Sequence, residues 1–490
     1  MAWTKNSMKL LLFLPLFLMI STHLLAQEEA RRLHDAHDTY KEKSFTHRRF
    51  KHADILPVLQ AVGQPLSVSQ VGESLEKRAI YQVKAGTGTT KVLLWSQMHG
   101  DEATATMALF DIFNFFQAKN DGFDAFRQTI LDKTTLYFVP MLNPDGAERF
   151  QRRTATDIDM NRDALRLQTP EGALLKQMQQ TLKPLVGFNL HDQNPRYSVG
   201  KSGKQAVVSF LATAYDEDRN INDVRQRSMQ LITGMNRVLQ QFIPGQVARY
   251  DDEFEPRAFG DNIQKWGTTL ILIESGGFKG DSEKMTIRRL NFVAILSALK
   301  SIADGSYRQE GIAEYQAIPE NGRALFDVLI RNATVVREGR PVTVDVGINY
   351  SEVNDKDARS FQYKSSVEDI GDLSTFHGLN EIDATGLTLV PAKTYSDVLN
   401  SAADLDNLDL PALRRDGIVL FRVKQVDGVG QPSQAVHLLH EGDAPAQPLQ
   451  LEQIPTFLLM KGTQIRYTFV NGFWQQKREG NNSPQNGIVD

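Results

Sequence analysis

Between about residue 45 and residue 305, short apolar runs alternate with longer segments whose apolar residues recur at helical spacing. No other feature narrows the fold as far. Strands separated by helices do not pair as tight hairpins, so they build a mostly parallel sheet with helices packed over it. The spacing predicts strands at Lys91–Gln97, Thr135–Leu142, Leu185–Leu190 and Thr269–Ile273, and helices at Thr104–Ala118, Ile221–Phe242 and Lys284–Ile302. In the first helix Met107, Phe110, Phe113 and Ala118 share one face, widened by Phe115 and Phe116; this is a core stripe, not a cofactor box. The expected fold class is α/β, a mostly parallel mixed sheet flanked by helices, followed by a smaller β-rich domain.

The flanks differ in character. Lys5 and Lys9 precede the uncharged run Leu10–Ile20, and Ser21 and Thr22 lead to Ala26 before Gln27-Glu28-Glu29. Residues 1–26 therefore read as a secretory signal peptide; a membrane anchor would need a run nearer about 20 apolar residues. Residues 27–44 are read as an N-terminal extension, 45–305 as the main α/β domain, 306–322 as a linker and 323–480 as a β-rich accessory domain. The last is suggested by runs such as Phe326–Ile330, Val342–Ile348 and Thr388–Pro391 separated by Asn, Asp and Gly signals. The tail 481–490, rich in Asn, Gly, Ser and Gln, reads as disordered. A secreted or periplasmic location is expected, with no membrane span in the mature chain.

Composition removes several classes of function. With 55 Lys and Arg against 59 Asp and Glu, the net charge of −4 provides no basic surface for a polyphosphate backbone, so nucleic acid is not an expected partner. Cysteine is absent, which excludes disulfides, iron–sulfur clusters, zinc ribbons and thiol nucleophiles. Any metal must be held by His, Asp or Glu.

Each predicted strand ends in polar residues: His99-Gly100-Asp101-Glu102, Asn143-Pro144-Asp145-Gly146, His191-Asp192 and Glu274-Ser275-Gly276-Gly277. In an open α/β sheet, ligands bind beyond the carboxyl ends of the strands. His99 and Glu102, three residues apart at a strand-to-helix junction, can turn toward one point, and His191 can complete the set. Two His and one Glu with an open fourth position is the catalytic rather than the structural zinc arrangement. His99 and His191 are the only histidines between residues 53 and 305.

These residues resemble the carboxypeptidase A-like zinc metallocarboxypeptidases over about residues 45–305. The resemblance rests on His99 with Glu102, Asn143 to Gly146 followed by Arg152, the segment Asp159-Met160-Asn161-Arg162, His191 and Glu274, in the family's order. It implies an eight-stranded mixed sheet and one Zn2+ held by His99, Glu102 and His191. The implied reaction is hydrolysis of the C-terminal peptide bond by a metal-activated water. Glu274 would be the general base and then acid, and Arg152 the donor to the developing oxyanion. Asn161 and Arg162 would hold the free C-terminal carboxylate of a peptide substrate, the guanidinium as a planar fork. Among the three neighbours Arg149, Arg152 and Arg153, only the resemblance selects Arg152.

The chain departs from the family in places. Asp101 stands where many members carry an arginine, and Tyr250 is the nearest tyrosine to the position of the specificity-loop residue. The acidic cluster Asp251, Asp252, Glu253 and Glu255 could favour basic side chains, but reads as a solvated loop. Farther on, Phe326–Ile348 and Glu381–Pro391 resemble the small β-sandwich of metal-dependent amidohydrolases, without the His-x-His motif that should follow. A non-catalytic accessory domain is expected there. Two other functions fit the same residues: a zinc-dependent amidase or deacylase acting on cell-wall peptides or acylated amino acids, and an inactive binding protein of the same fold.

Overall fold

The computed structural model describes residues 25–425, 434–444, 448–476 and 488–489. The expected signal peptide lies outside the described residues except for Leu25 and Ala26, as does the tail except for Ile488–Val489. The chain divides after Arg323 into two compact units, the second also taking Lys201–Gly203. Among the described residues, no helix is long and apolar enough to cross a membrane.

The strands of unit 1 are β1 (Leu66–Glu73), β2 (Ala79–Ala85), β3 (Thr90–Ser96), β4 (Thr134–Val139), β5 (Val186–Asp192), β6 (Ser198–Val199), β7 (Val208–Leu211), β8 (Val247–Arg249), β9 (Thr269–Ser275) and β10 (Asn321–Gly322). Eight of them form one sheet in the order β1-β2-β4-β3-β5-β9-β7-β8, while β6 and β10 pair separately. The central strands β4, β3, β5 and β9 are mutually parallel, and antiparallel pairing begins at β2 on one side and β7 on the other. The alternation predicts the parallel centre, and the resemblance implies the eight-stranded mixed sheet around it. Every residue of β9 is buried, as is every residue of β5 before Asp192, because helices cover both faces.

Those helices are α1 (25–40), α2 (His52–Ala61), α3 (Thr104–Gln117), α4 (Asp124–Lys133), α5 (Pro144–Arg149), α6 (Pro170–Leu182), α7 (Asp223–Leu239), α8 (Phe259–Lys265), α9 (Met285–Asp304) and α10 (Ile312–Gln316). The apolar stripe of α3 is buried as expected, including Met107, Phe110, Phe113, Phe115 and Phe116.

Two stretches differ from their sequence reading. The expected N-terminal extension, 27–44, is integral to unit 1. It lies mostly within α1, where Ala30, Leu33, His37 and Tyr40 are buried. Asp111 of α3 lies 2.8 Å from His37 Nε2 and accepts two hydrogen bonds from Arg288 of α9, whose guanidinium also donates to the Glu42 and Phe45 carbonyls. A buried ion pair thus ties this segment to two core helices. The expected linker, 306–322, also folds onto unit 1: Tyr315 is buried with its hydroxyl accepting from the Ala212 N–H at 3.0 Å, and Asn321–Gly322 pairs with β6.

Unit 2 is β-rich, as expected. Its strands are β11 (Leu325–Arg337), β12 (Arg340–Asn354), β13 (Phe361–Gly371), β14 (His377–Asp383), β15 (Thr388–Pro391), β16 (Lys393–Thr394), β17 (Ile418–Val423), β18 (His437–His440), β19 (Phe457–Lys461), β20 (Gln464–Val470), β21 (Phe473–Gln476) and β22 (Ile488–Val489). One sheet runs β13-β12-β11-β15-β19-β20-β21, with β14 also on β11, and a smaller parallel sheet runs β16-β17-β18-β22. Its principal core gathers Val328, Ile330, Ile348, Val367, Leu459 and Phe469.

Candidate metal centre and active site

The parallel strands β3, β4, β5 and β9 present their carboxyl ends along one edge, and the polar residues singled out in the sequence follow there. After β3 the chain kinks at Gln97, in the left-handed region at φ 47°. It then passes so close to α5 that a Cβ on Gly100 would stand 2.0 Å from the Gly146 carbonyl carbon; only glycine fits. Asn143 fixes that approach. Its Oδ1 accepts from the Gly146 N–H at 2.9 Å and its Nδ2 donates to the Met98 carbonyl at 3.3 Å. The Asn-Pro-Asp-Gly turn is thereby a clamp on the His99–Glu102 turn.

His99, Glu102 and His191 are 2%, 7% and 2% exposed, and one donor atom from each lies within 4.8 Å of the others. His99 Nδ1 is 2.7 Å from Glu102 Oε1, His191 Nδ1 is 2.6 Å from Glu102 Oε2, and the two Nδ1 atoms are 3.2 Å apart. Two nitrogens on one tetrahedral zinc would stand about 3.3 Å apart, given bonds of about 2.0–2.1 Å. Asp159 Oδ1 sits 3.2 Å from His99 Nε2, so the carboxylate takes that N–H and leaves Nδ1 as an electron-pair donor. The donor set therefore fits a zinc ion, and the sequence had marked Asp159 without assigning this role.

Burial opposes protonation of His99, but Glu102 and Asp159 outweigh it and push the imidazole up to about 9, so zinc would have to displace a proton from Nδ1. Burial raises Glu102, yet His99 and His191 hold it well below the usual carboxylate range. Burial holds the His191 imidazole below its usual value, against the pull of Glu102. Asp101, at the departure noted above, is pushed up to about 6 by burial and then by Glu102.

Glu274 is 8% exposed and is the ladder partner of His191 on one side and Ser209 on the other. Burial first and Glu102 second push its carboxyl well above the usual range. Arg152 also reaches the triad. Its Nη1 is 3.0 Å from His99 Nδ1 and donates to Glu102 Oε1 at 3.3 Å, while Nε and Nη2 both donate to Asp159 Oδ2, at 3.1 and 3.0 Å. Arg149 is engaged elsewhere with Glu76, and Arg153 with the Asp157 carbonyl.

Met160–Arg162 is a single 3-10 turn capped by Asp159, whose Oδ1 accepts from the Asn161 N–H at 3.0 Å. Asn161 Oδ1 accepts from the Phe259 N–H at 3.0 Å, joining this turn to α8. Arg162 ends this turn, and its Nε pairs with Glu255 at 3.3 Å. The acidic cluster is not simply solvated: Asp252 pairs with Arg219 and Arg225, and Glu255 also with Arg257. The charges of Asp252 and Glu255 are matched by arginines of this chain.

Tyr250 directly follows β8, and its N–H donates to the Phe210 carbonyl of β7, the strand beside β9. Burial, then the Glu274 carboxylate, then Tyr197 push its phenol up, and the two tyrosine rings lie 6.1 Å apart. Tyr197 carried no signal in the sequence, since nothing in its local pattern separates it from a core aromatic.

Comparison with known proteins finds likenesses over part of the chain. Residues 58–188 match the family described as zinc carboxypeptidase. Carboxypeptidase 2 of Trichophyton tonsurans is 25% identical over 148 residues, 29% of this chain and 26% of its own, and carboxypeptidase D of Anas platyrhynchos is 24% identical over 234 residues, 40% of this chain and 17% of its own. The chain thus spans about a quarter or less of the length of these relatives. A metallo-carboxypeptidase from Burkholderia cenocepacia superposes with a TM-score of 0.42 at 17% identity, covering 52% of this chain and 69% of that one. The matched segment includes His99, Glu102, Arg152, Asn161 and Arg162, and the sheet brings His191 and Glu274 to them from beyond it. Through this segment, unit 1 resembles the carboxypeptidase A-like zinc carboxypeptidase family.

Proposed function

We propose that the protein is a zinc-dependent metallocarboxypeptidase that removes C-terminal residues from peptides. The observation that carries this reading is the convergence of His99, Glu102 and His191 beside the buried Glu274. A zinc ion held by those three residues would supply a Lewis acid for the scissile carbonyl and an activated water. Glu274, fixed by its ladder pairing to His191, accepts a proton from the attacking water and returns it to the leaving amine. Arg152, held by Asp159, donates to the oxygen on which negative charge develops. Asn161 and Arg162 receive the terminal carboxylate, with Glu255 holding the guanidinium until substrate arrives.

The deciding experiment compares peptides with a free C-terminus against the same peptides ending in an amide. Charge-assisted hydrogen bonds to the carboxylate are each worth about 1.5–3 kcal/mol, so amidation should cost at least about tenfold in kcat/KM. Arg162→Ala should abolish that preference. Equal cleavage of both peptides would favour an amidase or deacylase, the reading to which the existing Arg162–Glu255 pair lends weight. A chain that folds but retains far less than one equivalent of zinc would favour the inactive binding protein.

Lys5, Lys9, the run Leu10–Ile20 and the small residue Ala26 support export, to the periplasm or beyond the cell. Unit 2 is then an accessory domain travelling with the hydrolase.

A further inference from the structure

One buried cation beside the site has no part in the chemistry above. Lys284 is 6% exposed, and its Nζ donates to Asp192 Oδ2 and to the Ser275 carbonyl, both at 3.0 Å. Asp192 follows His191 and Ser275 follows Glu274, and these residues are ladder partners across β5 and β9. Asp192 Oδ2 also accepts from Thr104 Oγ1 at 2.6 Å, at the start of α3, and the Asp192 N–H donates to Glu102 Oε2 at 3.1 Å. The segments that carry Glu102, His191 and Glu274 therefore meet around one ammonium group.

The backbone at Lys284 argues that the side chain matters. Its φ is 54°, a left-handed conformation that glycine adopts without strain and lysine does not. The start of α9 does not need a lysine there, because Asp281 receives the Met285 and Thr286 N–H groups, each at 2.7 Å. Asp192 does need a counter-charge, since its side chain is 7% exposed. We propose that Lys284 is a positioning residue: by bridging Asp192 and the Ser275 carbonyl, it sets the spacing between the ligand His191 and the proton carrier Glu274. This inference rests on the metal-site reading above.

The test uses the full chain with three variants, Lys284→Met, Asp192→Asn and Asp281→Ala, and two readouts. Zinc affinity is measured by competition with a chromophoric chelator, and amide exchange at residues 191–193 and 274–276 is followed in metal-free protein. Removing a residue that orients a metal ligand typically costs about 10–100-fold in affinity, and Lys284→Met should lose that much while exchanging these amides at least about tenfold faster. Asp192→Asn should move both readouts in the same direction, and answers the question if Lys284→Met fails to fold. Asp281→Ala loosens the helix start and should lower thermal stability while leaving zinc affinity within about twofold. Unchanged affinity and exchange in Lys284→Met, or an equal loss of affinity in Asp281→Ala, would overturn the proposal. A wild-type chain that binds no zinc would refute the metal-site reading instead, and the exchange readout would still judge the bridge.

Discussion

The two units handle buried polarity in opposite ways. Unit 1 buries carboxylates, arginines and lysines, among them Glu102, Asp111, Glu274, Arg225, Lys284 and Arg288. Among the described residues of unit 2, the buried polar side chains are Ser365, His437, Thr456, Thr468 and Asn471, with no acid, lysine or arginine. They close largely on one another: Asn471 Oδ1 accepts from the N–H and hydroxyl of Ser365, and Thr456 Oγ1 lies 3.0 Å from His437 Nδ1. Burying an ion costs several kcal/mol unless it is paired, and unit 1 pairs its buried charges both at the site, as with Lys284 and Asp192, and away from it, as with Arg288 and Asp111. The contrast separates a unit that holds charge in its core from one that closes on apolar and neutral polar groups.

The strongest way to break that contrast is at Glu274. Glu274→Gln should retain fold and zinc while turnover falls about 10²–10⁴-fold, because an amide can hold a hydrogen bond but cannot carry a proton. Steady-state kinetics beside zinc analysis decides it, and near-normal turnover would remove Glu274 from the chemistry. In unit 2 the matching change is apolar. Phe469 is fully buried in the core, and Phe469→Ala should destabilise unit 2 by about 3–5 kcal/mol while leaving the zinc affinity of unit 1 unaltered. Urea unfolding with hydrogen exchange read unit by unit would show it; a drop in zinc affinity would mean that the units are not energetically separate.

How much of this was legible in the sequence follows the same division between local and distant partners. The central strands were readable because burial on both faces makes them nearly continuous apolar runs, as in Thr269-Leu270-Ile271-Leu272-Ile273. Their polar ends were readable because His, Glu and Asn are out of place after such runs. The outer strands β1, β2, β7 and β8 were not identified; β1, for example, has a single buried residue, Leu66, and little periodicity. The acidic cluster looked solvated because its partners Arg219 and Arg225 lie some thirty residues earlier in the chain. The Lys284–Asp192 bridge spans 92 residues, and no spacing rule reaches that far. The N-terminal extension and the linker were misread for a related reason: their anchors, Asp111 with Arg288 and Ala212, belong to other elements.

Zinc removal sharpens the comparison from the other side. A ligand that binds only the folded state stabilises it by about 2.7 kcal/mol when present at a hundred times its Kd. Stripping the metal should therefore lower the unfolding transition of unit 1 and leave that of unit 2 in place. Calorimetry before and after chelation checks this, and a shift confined to unit 2 would place the metal elsewhere.

The smallest expected effect concerns acid. Burial opposes ionisation of Asp121, but hydrogen bonds from Arg127 and Tyr40 outweigh it and hold its carboxyl down at about 2. Tyr40 lies on α1 and donates to Asp121 at 2.7 Å, so this carboxylate helps to fasten α1 to the rest of unit 1. A depressed folded-state value means stabilisation that is complete above the ordinary Asp value near 4 and is lost as the pH falls toward about 2. In unit 2, Asp355, Asp372 and Asp383 are also lowered, but by Ser360, Ser374 and Thr385 within their own turns, so protonating them releases no helix. Amides of residues 30–40 should thus lose protection between roughly pH 4 and pH 2, ahead of the β11–β12 ladder. Asp121→Asn should weaken that protection at neutral pH and flatten its acid dependence. Residues 30–40 holding full protection down to pH 2, or an Asn variant with the wild-type profile, would show that the His37–Asp111 contact and the apolar packing of Ala30 and Leu33 secure the helix without Asp121.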